Sequence, residues 1–120
     1  MPSKVVLSFI LVLWSCGKSL PVFENMNLAD WQQDRNGCSG KRAAMEQVIS
    51  NQKDKLLALS ETQVAELLGR PDRNELYKRN QKFFYYFIHP SPDCDTPKEN
   101  GQKLVIRFNA TGRVKEVTIE

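Results

Sequence analysis

The period of the apolar pattern changes near the middle of the chain, and this change limits the possible folds more than any other feature. Over residues 41–68, apolar residues recur every three or four positions, as on one face of a helix. From residue 75 they recur every second position, as in strands. Helices followed by strands with short turns predict an α+β fold. In it, two helices pack on a three- to four-stranded antiparallel meander, an ααβββ two-layer sandwich.

The better-defined helix is predicted over residues 60–68. Ser60 and Gln63 have the spacing of a capping box, in which each side chain binds the other residue's backbone amide. Gly69 supplies a left-handed end, and Pro71 follows where a helix cannot continue. The start, the apolar face and the end of this predicted helix are therefore consistent with one another.

An earlier helix is predicted over residues 41–57, with Ser39 as its N-cap. Lys41 and Arg42 would lie at the positive end of its dipole, and we expect them to be solvated, with an acidic partner as the alternative. A single helical turn before it contains Trp31. This side chain either covers an edge of the core or is an exposed anchor for a partner.

Strands are predicted over residues 75–77, 82–89, 103–108 and 113–120. The apolar residues of the last strand change phase, which predicts a bulge near Lys115-Glu116. Both faces of the second strand are aromatic or aliphatic, so we expect it to be central or covered on both sides.

Two cysteines, Cys38 and Cys94, remain once an N-terminal cysteine is set aside. An even pair in an exported chain favours a disulfide, here between the turn at 36–40 and the proline-rich loop at 90–101. A catalytic thiol and a zinc site are the alternatives. Neither has the ligand spacing or neighbouring base that it needs, since His89 is the only histidine.

The N-terminus is typical of a bacterial lipoprotein signal peptide. A basic residue precedes an apolar run over 5–14, and a leucine and a serine precede Cys16 in the lipobox pattern. This predicts a signal peptide over 1–15, a lipidated tether over 16–22 beginning at acylated Cys16, and one domain over 23–120. The expected location is the periplasmic side of the outer membrane. A plain cleaved signal peptide and a buried segment are the alternatives.

Charge and composition exclude several classes of function. The formal net charge is only +3, with both signs interspersed, so no nucleic-acid partner is expected. The one grouping of acid–base residues is His89 with Asp93 and Asp95, and a structural role for His89 is favoured. We therefore expect no enzymatic activity, no small-molecule substrate, no cofactor and no metal.

Three segments together resemble the SmpA/OmlA (BamE-like) outer-membrane lipoprotein domain. They are the capped helix ending in Leu-Gly-Arg-Pro within 59–72, the aromatic strand at 84–86, and the hairpin over 104–114. The resemblance extends over about residues 56–120 and is shared with the repeats of β-lactamase inhibitory protein. It implies the ααβββ architecture and a non-catalytic scaffold role. The chain also resembles small lipoproteins of Bacteroidota.

Two functions are expected from these observations. The first is a lipid-anchored interaction module for envelope proteins, with outer-membrane β-barrel assembly components among the expected partners. The second is an inhibitor of a secreted hydrolase, such as a lysozyme or a β-lactamase, which would insert the loop at 90–101. The residues expected to contact a partner are Trp31, Tyr77, Tyr85, Tyr86, Asp93 and Asp95. For the tyrosines, packing within the sheet is the alternative.

Overall fold

The computed structural model describes residues 19–77 and 81–120, with the backbone alone at Tyr77. The predicted signal peptide, the lipidation site Cys16 and the start of the tether lie outside the described residues. So do residues 78–80, which separate the first two strands. Within the described part, no helix is both long and apolar enough to span a bilayer.

The fold is α+β, as predicted, with the helices first and the strands after them. The helices are α1 (Leu28–Gln33), α2 (Lys41–Ala44), α3 (Glu46–Gln52) and α4 (Glu61–Leu68). The strands are β1 (Arg73–Tyr77), β2 (Gln81–Phe87), β3 (Lys103–Phe108) and β4 (Val114–Ile119). The four strands form one sheet in sequence order, and every neighbouring pair is antiparallel.

Helix α4 begins and ends where the sequence predicts. The Gln63 amide donates to Ser60 Oγ at 3.2 Å, and the Ser60 amide donates to Gln63 Oε1 at 2.9 Å. Gly69 ends the helix with φ 81°. These local contacts satisfy backbone groups that a helix end leaves without partners, which is why the capping box predicts the boundary well.

The segment predicted as one helix over 41–57 is helical over 41–56, but it is divided into shorter pieces. Met45 has φ −101° and ψ 5°, which separates α2 from α3, and a 3-10 turn, Lys53–Leu56, ends the segment. Ser39 is not the N-cap. Its hydroxyl donates to Asp34 Oδ1 at 2.7 Å, and Asp34 Oδ2 accepts from the Arg42 amide at 2.9 Å. A carboxylate from the preceding turn thus takes the capping role expected of Ser39.

The core lies between the helices and one face of the sheet. Its largest buried members from the helical half are Trp31, Ile49, Leu56, Leu59, Val64 and Leu68. From the sheet come Phe84, Tyr86, Leu104, Ile106, Phe108 and Val117. The register also confirms the bulge in β4, because Arg107 pairs with Glu116 while Phe108 pairs with Val114, which leaves Lys115 as the additional residue.

The opposite face of the sheet, called the outer face here, carries the alternate side chains. Phe83, Tyr85 and Phe87 of β2 lie there and are half-buried. The register places Arg73 and Glu75 of β1 beside Tyr85 and Phe83. Lys103, Val105 and Arg107 of β3 complete the face, opposite Phe87, Tyr85 and Phe83. β2 is central, as predicted, and the helical layer lies on one side of it.

The predicted disulfide between Cys38 and Cys94 is present, with a Cα–Cα distance of 5.5 Å and a sequence separation of 56. It joins the turn before α2 to the loop between β2 and β3. This loop is therefore attached to the helical half of the domain as well as to the two strands at its ends.

Candidate functional site

Among the described residues, the shortest ion pair is buried and links the helical half to the sheet. Arg42 Nη1 lies 2.6 Å from Asp72 Oδ2, and both side chains are fully buried. Arg42 also donates to the carbonyl oxygens of Trp31 at 2.8 Å and Phe87 at 3.1 Å. The expectation that Arg42 is solvated is wrong, because a buried carboxylate and two carbonyls replace its water. Lys41 stays exposed, 3.9 Å from Asp30.

Asp34 is a second buried carboxylate in this region, and three donors hold it. Burial alone would raise the pKa of Asp34. The amides of Arg42 and Ser39, the Ser39 hydroxyl and the charge of Arg42 outweigh burial, and they hold the pKa below its ordinary value. The group remains ionised near neutral pH and organises the turn, so its contacts are structural.

Trp31 and Tyr86, two of the expected partner-binding residues, are fully buried in the core. Their ring centroids lie 6.3 Å apart, with the Arg42 guanidinium 5.0 Å from the Trp31 centroid. The Tyr86 hydroxyl donates to the Gly69 carbonyl at 2.7 Å, and burial raises the pKa of this tyrosine. The prediction that these two side chains contact a partner is therefore wrong.

His89 does not form an acid–base group with Asp93 and Asp95. Its Nδ1 accepts from the Gln102 amide at 2.9 Å, and its Nε2 lies 3.1 Å from a carboxylate oxygen of Glu46. Asp93 instead lies 3.5 Å from Arg73, and Asp95 is exposed. Nδ1 of His89 thus holds the two ends of the loop together, and Nε2 contacts α3. Among residues 19–77 and 81–120, no group of three possible ligands could hold a metal ion.

Tyr85 is the predicted partner-binding tyrosine that lies on the outer face. Its ring stacks with Phe83 at a centroid distance of 6.3 Å, and the Lys103 ammonium lies 5.8 Å from its centroid. Its hydroxyl donates to Glu75 Oε1 at 2.8 Å. The side chain of Tyr77 lies outside the described residues.

Two clefts adjoin on the outer face, and both are open to solvent. The first, of about 310 Å³, is lined by Arg73, Glu75, Tyr85, Phe87, Pro92 and Lys103. The second, of about 480 Å³, lies under the loop and is lined by Phe87, Pro90, Ser91, Pro92, Pro97, Lys98, Glu99, Asn100 and Gly101. Since Phe87 and Pro92 line both, we call the two clefts together the groove.

The loop wall of the groove is held in place by hydrogen bonds as well as by the disulfide. Ser91 is buried, and its amide donates to the Asn36 carbonyl at 3.0 Å. The Lys98 amide donates to the Pro90 carbonyl at 3.0 Å, and the Gly101 amide donates to the Lys98 carbonyl at 3.1 Å. A wall held at several points is preorganised for binding, because little conformational entropy remains to be lost.

Sequence reasoning missed Arg73, Phe87 and Lys103 as members of this site. The period-two pattern of β2 and β3 separates the two faces of each strand. It does not say which residues of neighbouring strands stand side by side. That depends on the register, in which Arg73 pairs with Tyr85 and Lys103 with Phe87.

Fold and site together define a small disulfide-linked α+β domain with an aromatic outer face and an adjoining groove. No family model matches the chain, and neither a curated protein nor a solved structure does.

Proposed function

We propose that this chain is a lipid-anchored, non-catalytic protein of a bacterial envelope, and that it acts as an interaction module in outer-membrane assembly or maintenance. The observation that carries the binding role is the outer face, where an aromatic row lies beside a preorganised loop. Aromatic side chains supply much of the energy of protein interfaces at low entropic cost. The anchor is supported by the lipobox pattern that ends at Cys16.

Tyr85 is the position from which this role can be tested in cells. The full chain would carry the photo-crosslinker p-benzoylphenylalanine at Tyr85, or at exposed Glu66 on α4 as the matched control. We expect Tyr85 to crosslink to an envelope protein and Glu66 not to. An equal yield from both positions, or none from Tyr85, would contradict a binding role for the outer face.

The anchor is tested separately by labelling cells with radioactive palmitate. We expect the full chain to incorporate label and Cys16→Ala to incorporate none. Label that persists in Cys16→Ala, or an unlabelled full chain, would overturn the anchor and the outer-membrane location with it.

A second function, inhibition of a secreted hydrolase, is favoured by the shape of the loop. Asp93, Asp95 and Glu99 are exposed on a segment held by the disulfide and by internal hydrogen bonds. A preorganised acidic loop suits the basic surface of a lysozyme. The test measures the rates of a lysozyme and a β-lactamase with and without the full chain. If the full chain inhibits either enzyme and the double variant D93N/D95N inhibits it less, the inhibitor function replaces the assembly role.

A further inference from the structure

We propose that the groove binds an extended, carboxylate-bearing segment of a partner protein, with the carboxylate at Lys103 and Arg73 and a neighbouring apolar side chain in the proline-lined cleft. This inference rests on the proposed protein-binding function and names the kind of segment that the site would take.

The sheet end of the groove is charged, and Asp93 lies 3.5 Å from one of its cations, Arg73. Its lining contains the cations Arg73 and Lys103 and one carboxylate, Glu75. Lys103 forms no ion pair with any carboxylate in the described part of the chain, and its ammonium lies over the Tyr85 ring. Such a cation, partly removed from water by an aromatic ring, favours an anionic ligand group.

Arg73 lines the same cleft as Lys103. Its guanidinium is 5.1 Å from the Phe87 ring centroid, and its contact with Asp93 is long, at 3.5 Å, and exposed on both sides. An exposed ion pair of this kind contributes little to stability. Arg73 can therefore turn from Asp93 to a carboxylate in the cleft at a small cost in free energy. A planar carboxylate accepts well from a guanidinium and an ammonium together.

The loop end of the groove has the opposite chemistry. Phe87, Pro90, Pro92 and Pro97 supply apolar surface, and Lys98 and Glu99 balance in charge. A ligand that spans both ends needs an anionic group beside an apolar one. Open, adjoining clefts of different chemistry suit consecutive side chains of an extended peptide, because a small molecule is usually bound in an enclosed pocket.

The test selects peptides from a phage-displayed library of random dodecapeptides. The target is the full chain, solubilised in detergent micelles and immobilised through a C-terminal tag. We expect selected peptides to carry Asp or Glu beside an aromatic residue or proline. The best one, made synthetically with a fluorescein label, should bind Lys103→Gln about tenfold more weakly, because a charge-assisted contact is lost. Lys115→Gln, at an exposed lysine outside the groove, should bind like the unchanged chain. Arg73→Gln should weaken binding in the same direction as Lys103→Gln.

Selection of no peptides, of peptides without carboxylates, or of acidic peptides that bind Lys103→Gln unchanged would each overturn the inference. Peptides that share negative charge alone, with no apolar neighbour, would overturn the two-part site and indicate a general polyanion surface. Failure here leaves the proposed function standing if Tyr85 still crosslinks to an envelope protein, since that experiment does not depend on the ligand's charge.

Discussion

The buried pair of Arg42 and Asp72 lies where the helical half of the domain meets the sheet. Asp72 Oδ2 accepts from Arg42 and also from the Phe87 amide, at 2.8 Å. One carboxylate therefore joins the helical half to the C-terminal end of β2. Asp72 Oδ1 accepts from the Asn36 amide at 3.0 Å and lies 3.4 Å from Arg35 Nη1. These donors offset the desolvation penalty that an isolated buried carboxylate would carry.

Asp72→Asn is expected to lower the free energy of unfolding by about 3–5 kcal/mol, because Arg42 would stay buried without a counter-charge. Urea denaturation followed by circular dichroism measures this difference. Asp93→Asn, which removes an exposed carboxylate near Arg73, is the matched control and should stay within about 1 kcal/mol. Equal effects of the two variants would mean that the buried pair contributes little.

At the scale of elements, the turn before α2 fits tightly against the end of β2. The 3-10 turn Arg35–Gly37 contains two residues with positive φ, Asn36 at 60° and Gly37 at 68°. A Cβ on Gly37 would lie 2.7 Å from the Phe87 carbonyl oxygen and 2.8 Å from that of His89. Glycine is needed here for close approach as well as for its backbone conformation.

Gly40 offers a comparison for Gly37, since its φ is 83° but a Cβ there would meet nothing within 4 Å. Gly40→Ala should therefore cost only the conformational strain, about 1–2 kcal/mol. We expect Gly37→Ala to cost about 1–3 kcal/mol beyond that, because the strand end must move. Thermal and urea unfolding of the two variants give the difference. Similar losses of stability would argue against a tight contact at Gly37.

At the scale of the whole molecule, the disulfide closes the loop wall of the groove onto the helical half. The Cys94 amide donates to the Ser91 carbonyl at 3.0 Å, and the Asn36 carbonyl accepts from the Ser91 amide at the same distance. The covalent bond and these hydrogen bonds act on the same few residues. Groove shape and domain stability are therefore linked.

The double variant C38S/C94S is expected to lose about 4 kcal/mol of unfolding free energy, as chain entropy predicts for a separation of 56 residues. Urea denaturation with and without reductant measures it. Reductant should lower the stability of the unchanged chain to that of the variant and leave the variant unaffected. A loss below about 1 kcal/mol would mean that the hydrogen bonds alone hold the loop.

The features of this protein that depend on local or covalent chemistry could be predicted from its residues alone. The ends of α4 follow from Ser60, Gln63 and Gly69, since a helix terminus must find donors and acceptors among its own neighbours. The strands and the bulge at Lys115 follow from side chains that alternate with period two. The disulfide could be predicted because, once Cys16 of the three cysteines is set aside with the lipobox, the other two allow one pairing.

The burial of polar residues and the composition of the groove depend on contacts between elements and could not be predicted in this way. The break at Met45 and the burial of Arg42 both occur within the predicted helix, and Arg42 depends on Asp72, 30 positions away. The groove likewise needs the pairing of β1, β2 and β3 to bring Arg73, Phe87 and Lys103 together. Periodicity assigns a residue to a face of its own element. Contacts between elements depend on register and packing, which are set by the whole chain.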